Sequence, residues 1–277
     1  MTDTPDAVIL LSRGGTGAAA REALQHLAAE LQQRGAASQV IVGFIDKAAP
    51  SLPEALDLCA GARCVAVVPL VAHDEPTLQR WLHKVAMRWR ARRGAALPRI
   101  VFAPPLMAAG QLPHLVCDQI AQALQAEDVA ETAGPQWAQD PVAWSDVPEH
   151  QHHVLVCTGP RCTSKGAVAM WQSLGECLKA SPELHRKIRP LQTGCLHPCN
   201  LGPTAIVYPE GVWYGRLDAQ NITQVMHAHF LQGPPLKEHV VHRLQATEPQ
   251  PAPSTNDSQQ EPPCTSNPAS SAAPRTS

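Results

Sequence analysis

Four cysteines carry the clearest chemistry in this chain. Cys157 and Cys162 are separated by four residues, Cys195 and Cys199 by three. The second pair lies in Gly194-Cys195-Leu196-His197-Pro198-Cys199-Asn200-Leu201-Gly202-Pro203. Two close pairs brought together by a fold supply four thiolates, the ligand set of an iron–sulfur cluster. A structural zinc ion takes the same set, although zinc motifs more often use two-residue spacers; disulfides are the third chemistry these residues allow. The N-terminus, Met1-Thr2-Asp3-Thr4-Pro5-Asp6, is acidic and has no signal-peptide pattern. The nine cysteines are therefore expected to be reduced thiols of a cytoplasmic protein, which favours metal ligation over disulfides. Cys177 follows Leu174 by three residues on an apolar helix face and reads as core. Cys59, Cys64 and Cys117 are expected to be buried in the first half, and Cys264 to have no site role.

The elements around these cysteines must bring the pairs together. His153-Val154-Leu155-Val156 is a strand ending at Cys157, and Lys165 to Ala180 suits a helix. Ile188 to Leu191 is a strand leading to the second pair. Ala205 to Tyr208 and Val212 to Leu217 pair across a Pro209-Glu210-Gly211 turn. Asp218 caps a helix carrying Ile222, Val225, Met226 and Phe230. The order is β-α-β-β-β-α. Both cysteine pairs follow strands, so both can face one end of a sheet. Glycines and prolines flank them, which lets backbone N–H groups approach sulfur and stabilise its charge.

Residues 7 to about 125 alternate short apolar strands with helices. Strands are expected at Ala7–Leu11, Gln39–Ile45, Val65–Pro69 and Ile100–Ala103. Helices are expected around Ala20–Leu31, Ser51–Ala60, Thr77–Arg93 and Leu112–Gln125. Alternation with fully apolar strands argues a parallel sheet covered on both faces. The segment 126–151 carries the breakers Gly134-Pro135, Asp140-Pro141 and Val147-Pro148 and reads as a linker. From 245 to 277 there is no branched aliphatic or aromatic residue, so that segment is expected to stay disordered. The expected organisation is thus α/β throughout: a domain over 1–125, a linker, a domain over 152–244 and a tail. A net charge of −2 gives no global field for nucleic acid or a membrane, and no apolar run approaches a transmembrane span.

Residues 152–233 strongly resemble the thioredoxin-like 2Fe–2S ferredoxins, a group that includes the small cluster-binding subunit of bacterial NADH dehydrogenase. The resemblance rests on Cys157-Thr158-Gly159-Pro160-Arg161-Cys162, on the motif from Gly194 to Pro203, and on Val207-Tyr208-Pro209-Glu210-Gly211-Val212-Trp213-Tyr214. It implies a thioredoxin-like fold and a 2Fe–2S cluster on Cys157, Cys162, Cys195 and Cys199. It also implies electron exchange with a redox partner protein. Arg161, Lys165 and Arg216 are solvent-exposed charges in this reading, or the docking rim for such a partner.

Residues 6–125 resemble the small sirohydrochlorin cobalt/iron chelatases of cobalamin and sirohaem synthesis. Here the resemblance rests on Ala49-Pro50-Ser51-Leu52-Pro53-Glu54-Ala55-Leu56, Val67-Val68-Pro69-Leu70 and Ala103-Pro104-Pro105-Leu106. It implies a chelatase or flavodoxin-like fold with a ligand crevice at the carboxyl ends of the strands. It also implies a tetrapyrrole ligand and, by analogy, a homodimer. The family's metal-binding histidine follows strand one in a Gly-His-Gly-Ser type motif. This chain has Ser12-Arg13-Gly14-Gly15-Thr16-Gly17, with Arg13 at the histidine position. A guanidinium stays protonated and has no lone pair for a metal. His73 is the candidate for a relocated ligand, with Asp74 and Glu75 as auxiliary oxygens. Arg13, Gly14, Gly15 and Gly17 form either a tight turn or an anion cradle at a helix N-terminus. Arg80, Lys84, Arg88 and Arg92 repeat every four residues on the third helix, as a solvated face or a carboxylate-binding one. Three functions follow: a ferredoxin module joined to a chelatase-like domain with altered metal-site residues, a chelatase using His73, or a metal or cluster sensor.

Overall fold

The computed structural model describes residues 4–15, 17–72, 76–93, 97–135, 138–140, 145–233 and 235–244. Two sheets lie within one compact unit that ends at Leu244. The first sheet is built from β1 (Ala7–Ser12), β2 (Gln39–Phe44), β3 (Cys64–Pro69) and β4 (Arg99–Phe102). Its order is β2-β1-β3-β4 and every pairing is parallel. The crossovers are α1 (Ala18–Gln33), α2 (Leu52–Leu58) and α3 (Pro76–Arg93), and α4 (Leu112–Ala123) follows β4. Alternate strand residues go to opposite faces, as period two requires. Val8 and Leu10 pack with Ala28 of α1, whereas Ala7, Ile9 and Leu11 pack with Leu52 and Leu56 of α2 and with Trp81, Leu82 and Val85 of α3.

Local chemistry sets where these elements start. Ser51 and Glu54 form a reciprocal capping box that opens α2, with the Ser51 backbone N–H donating to Glu54 Oε2 at 2.6 Å. Trp89 Nε1 donates to Asp57 Oδ1 at 2.6 Å, which ties α3 to α2.

The helix α4 departs from the expectation of a sheet covered on both faces by its helices. None of its residues is buried, and Leu115 and Ile120 are each 56% exposed. Hydrophobic periodicity shows that a face is apolar; it does not show what covers it. Of the cysteines expected in this core, Cys59 is buried, but Cys64 is half-buried and Cys117 exposed. Cys117 sits on α4 and shares its exposure, which corrects the expectation for that residue.

A short helix, α5 (Val129–Thr132), stands in the connecting segment, its N-terminus capped by Asp128. The second sheet has the order β6-β5-β7-β8-β9. Its strands are β5 (His152–Cys157), β6 (Ile188–Thr193), β7 (Ala205–Tyr208), β8 (Val212–Tyr214) and β9 (Val240–Arg243). β5 pairs parallel with β6 and antiparallel with β7, and β8 and β9 extend the antiparallel side. The helices are α6 (Pro160–Thr163), α7 (Ala167–Ala180), α8 (Pro182–Lys187) and α9 (Asn221–His227), the last running into a π-helical turn over Ala228–Gln232. The core joins Val154, Val156, Met170, Leu174, Tyr214, Ile222, Val225 and Met226. Cys177 is buried in this core, as its helical spacing predicts. Relative to the expected order, the structure adds β9 and the short helices α6 and α8. No helix among the described residues is long and apolar enough to cross a membrane. The 245–277 tail and Cys264 lie outside the described residues.

Leu56→Ala, at a position with no exposed area, is expected to lower unfolding free energy by about 2–5 kcal/mol. Ile120→Ala on α4 is expected to change it by less than about 0.5 kcal/mol. Urea denaturation of the two variants checks this. A large loss from Ile120→Ala would mean that α4 is packed in solution.

Candidate metal centre

Parallel pairing of β5 with β6 places Cys157 opposite Thr193, so both strands end on the same edge. The two cysteine loops leave that edge side by side. The Thr158 backbone N–H donates to Thr193 O at 3.1 Å, and the Thr158 hydroxyl donates to the same carbonyl at 3.1 Å. The Cys157 N–H donates to Thr204 O at 3.0 Å, joining the start of β7 to the same place. Cys162 lies in α6, whose first residue is Pro160. Cys199 opens a single 3-10 turn over Cys199–Leu201.

The two cysteine loops lie against each other. Cys195 Sγ and Cys199 Sγ are 3.2 Å apart. Cys157 and Cys162 are hydrogen-bonded to each other, and each pair feels the charge of the other. Two glycines make room. A Cβ on Gly202 would stand 2.6 Å from Cys162 Sγ, and one on Gly159 would stand 3.1 Å from the Cys195 nitrogen. The inner pair, Cys157 and Cys162, is buried, Cys199 is half-buried and Cys195 is exposed.

The inner pair is tuned toward one thiolate. A hydrogen bond from Cys162 holds the Cys157 thiol down to about 6 against the opposing effect of burial. Backbone N–H groups of Leu196 and Gly159 and the Thr204 hydroxyl add to the lowering. Cys162 is pushed up, first by its partner Cys157 and then by burial. Cys195 is raised by burial and by Cys199. A cationic centre bonded to all four sulfurs removes this competition, because each thiol can then ionise. Soft sulfur donors with N–H groups aimed at them fit an iron–sulfur cluster.

Sequence reasoning overlooked His197. Its backbone is left-handed (φ 50), and a ring nitrogen lies within 4.8 Å of both outer sulfurs. The signal was present in the Cys-x-His-x-Cys spacing, which sets the ring between the two cysteines. On the other side, Arg161 donates to Cys199 Sγ at 3.8 Å, and Lys165 Nζ donates to the carbonyls of Cys199 at 2.9 Å and Asn200 at 3.2 Å.

Known proteins are similar to each half of the chain. A 2Fe–2S ferredoxin of Clostridium pasteurianum is 36% identical over 103 residues, covering 34% of this chain and 95% of its own length. One from Aquifex aeolicus (strain VF5) is 30% identical over 97 residues, covering 32% of this chain and 87% of its own length. The chain belongs to the 2Fe–2S ferredoxin family. The solved thioredoxin-like [2Fe–2S] ferredoxin from Aquifex aeolicus aligns at 28% identity over 35% of this chain and 94% of that chain, with a TM-score of 0.33. The CbiX family model matches residues 7–123, ahead of the ferredoxin half. A cobalamin (vitamin B12) biosynthesis CbiX protein from Marinobacter aquaeolei VT8 aligns at 22% identity over 43% of this chain and 97% of that chain, with a TM-score of 0.37.

In the CbiX-like half, the loop after β1 is closed by the chain's own carboxylate. Arg13 pairs with Asp46 at 2.8 Å, and the Gly14 N–H donates to Asp46 Oδ1 at 3.2 Å and to Asp46 O at 3.1 Å. Asp46 is 5% exposed. Only glycine fits at position 14, where a Cβ would come within 2.2 Å of Asp46 O. The anion expected at Arg13 and Gly14 is thus supplied from within. A Cβ added at Gly15 or Gly17 would meet nothing within 4 Å. His73, Asp74 and Glu75 lie outside the described residues. The next residue, Lys47, links this loop to the ferredoxin half. Its N–H is shared between Thr158 O at 3.2 Å and Thr163 Oγ1 at 3.2 Å.

Gly202→Ala forces Cys162 to move and is expected to abolish or strongly reduce bound iron, whereas Gly194→Ala, with nothing within 4 Å of the added Cβ, is expected to keep it. Iron and acid-labile sulfide per chain check this. Equal content in the two variants would contradict the close approach at Gly202.

Proposed function

We propose that this chain is a one-cluster electron-transfer protein, with a 2Fe–2S cluster held by Cys157, Cys162, Cys195 and Cys199. Its ferredoxin half spans 152–244. The segment 126–151 joins it to a CbiX-like half, 1–125, whose metal-site residues are altered. The observation that supports this reading is that both cysteine loops leave the same end of β5 and β6, with two thiols in the core and two toward the surface. A bound cluster supplies single-electron transfer. The chain supplies its environment. Cys157 and Cys162 sit among core side chains that exclude water. Cys195 and Cys199 face outward, on the side open to a redox partner protein. Backbone N–H groups near Cys157 and the guanidinium near Cys199 stabilise negative sulfur, which favours the reduced state.

The CbiX-like half is proposed to bind a tetrapyrrole or another domain rather than to insert metal. Chelation needs a ligand with a lone pair beside the macrocycle and a base for the pyrrole protons. Arg13 supplies neither, and its guanidinium is held by Asp46. A chelatase using His73 is the alternative, and a metal or cluster sensor the third reading.

Anaerobically purified protein is expected to be brown, with about two irons and two sulfides per chain. Cys195→Ser and Cys199→Ser are expected to lose or strongly perturb the centre, and Cys177→Ala to retain it. A colourless protein holding zinc after iron-replete expression would sink this reading.

Insertion of cobalt or iron into sirohydrochlorin is expected to be weak or absent. Robust turnover that disappears in His73→Ala would establish His73 as a relocated ligand and the chain as a chelatase.

A further inference from the structure

The basic stripe on α3 does not face open solvent alone. Arg80, Lys84 and Arg88 line a cleft of about 630 Å³ whose other side is the cysteine loops, with Arg161, Lys165 and Cys199 in its lining. Five cations from two distant segments thus surround one space, and among the described residues no acidic one lines it. The chain as a whole carries a net charge of −2, so this concentration is local. Among the described residues, Arg80, Lys84 and Arg88 form no ion pair; Lys165 is engaged only by neutral carbonyls, while Arg161 reaches the Cys199 sulfur. Like charges facing one another across a cleft repel, and an anion between them turns that repulsion into attraction.

We propose that this cleft binds a small polyanion bearing several carboxylate or phosphate groups, held between α3 and the cysteine loops. Its volume falls in the range of small-molecule sites, roughly 300–1,000 Å³. Guanidinium groups on both sides match the two-oxygen face of a carboxylate or phosphate. Trp81, largely buried, adds an apolar surface to the lining. A cleft walled on two sides favours a small molecule over the flat surface of an acidic protein. Its lining comes from α3 and the cysteine loops and includes no residue of β1, β3 or the loop after β1. It stands on side chains alone. One consequence rests on the cluster reading: an anion beside Cys199 opposes the addition of an electron, so anion binding and reduction weaken each other.

The test is calorimetric titration of the intact chain at low salt with trimesate, a benzene tricarboxylate, and separately with tripolyphosphate, iron being measured on the same sample. Binding of either is expected, and the preferred one identifies carboxylate or phosphate as the recognised group. Benzoate is expected to bind about tenfold more weakly or worse, and the triple variant Arg80→Ala, Lys84→Ala, Arg88→Ala to lose about tenfold or more. Arg161→Gln, on the other side, is expected to weaken binding as well, which a site on α3 alone would not show. If the triple variant does not fold by circular dichroism, Lys84→Gln replaces it, with about threefold loss expected. Equal affinity in wild type and folded variants overturns the proposal. So does binding of polyglutamate with no binding of either small polyanion. Binding with the expected losses in protein that lacks iron upholds the cleft and removes the cluster reading.

Discussion

Parallel pairing of β5 with β6 is the constraint on which the metal centre depends. An antiparallel partner would have carried the second cysteine loop to the opposite edge of the sheet. Because the register sets Cys157 opposite Thr193, the loops run side by side and exchange hydrogen bonds through Thr158. The glycines then matter for a steric reason. At Gly159 and Gly202 the loops approach so closely that a side chain would displace a cysteine or its backbone. The inner thiols are held by the core, and Cys199 lies in a short turn braced by Lys165 and Arg161.

The same edge meets the first half of the chain. Asp46 neutralises Arg13 and anchors Gly14, and Lys47, next in sequence, gives its N–H to Thr158 and Thr163. The loop after β1 is therefore braced against the loop that carries Cys157. Asp46, itself buried, compensates the exposed Arg13 guanidinium.

Much of this was legible in the sequence. Strand and helix positions followed from period and breakers, and the cysteine spacing pointed to one centre. Other features depend on contacts that no local pattern records. β9 is short and follows a proline-rich break, so Val240–Arg243 carried too few alternations to read as a strand. The helix α4 has a clear apolar stripe, yet periodicity is the same whether the covering surface belongs to this chain or to none. The residues of the α3 stripe were identifiable, but their meeting with Arg161 and Lys165 arises only when two halves fold together. His197 is different: the Cys-x-His-x-Cys spacing carried its signal, and the left-handed backbone of the loop turns it toward the outer sulfurs.

The central claim is that four cysteines hold a redox-active pair of irons. Its most direct test is electron paramagnetic resonance of the intact chain before and after reduction with dithionite. The account predicts a silent oxidised protein that gains a paramagnetic signal on one-electron reduction and loses it on reoxidation, with the signal absent from Cys199→Ser. Zinc has no redox chemistry and stays silent in both states. A silent spectrum after reduction, in protein whose four thiols are shown to be metal-bound, would contradict the account.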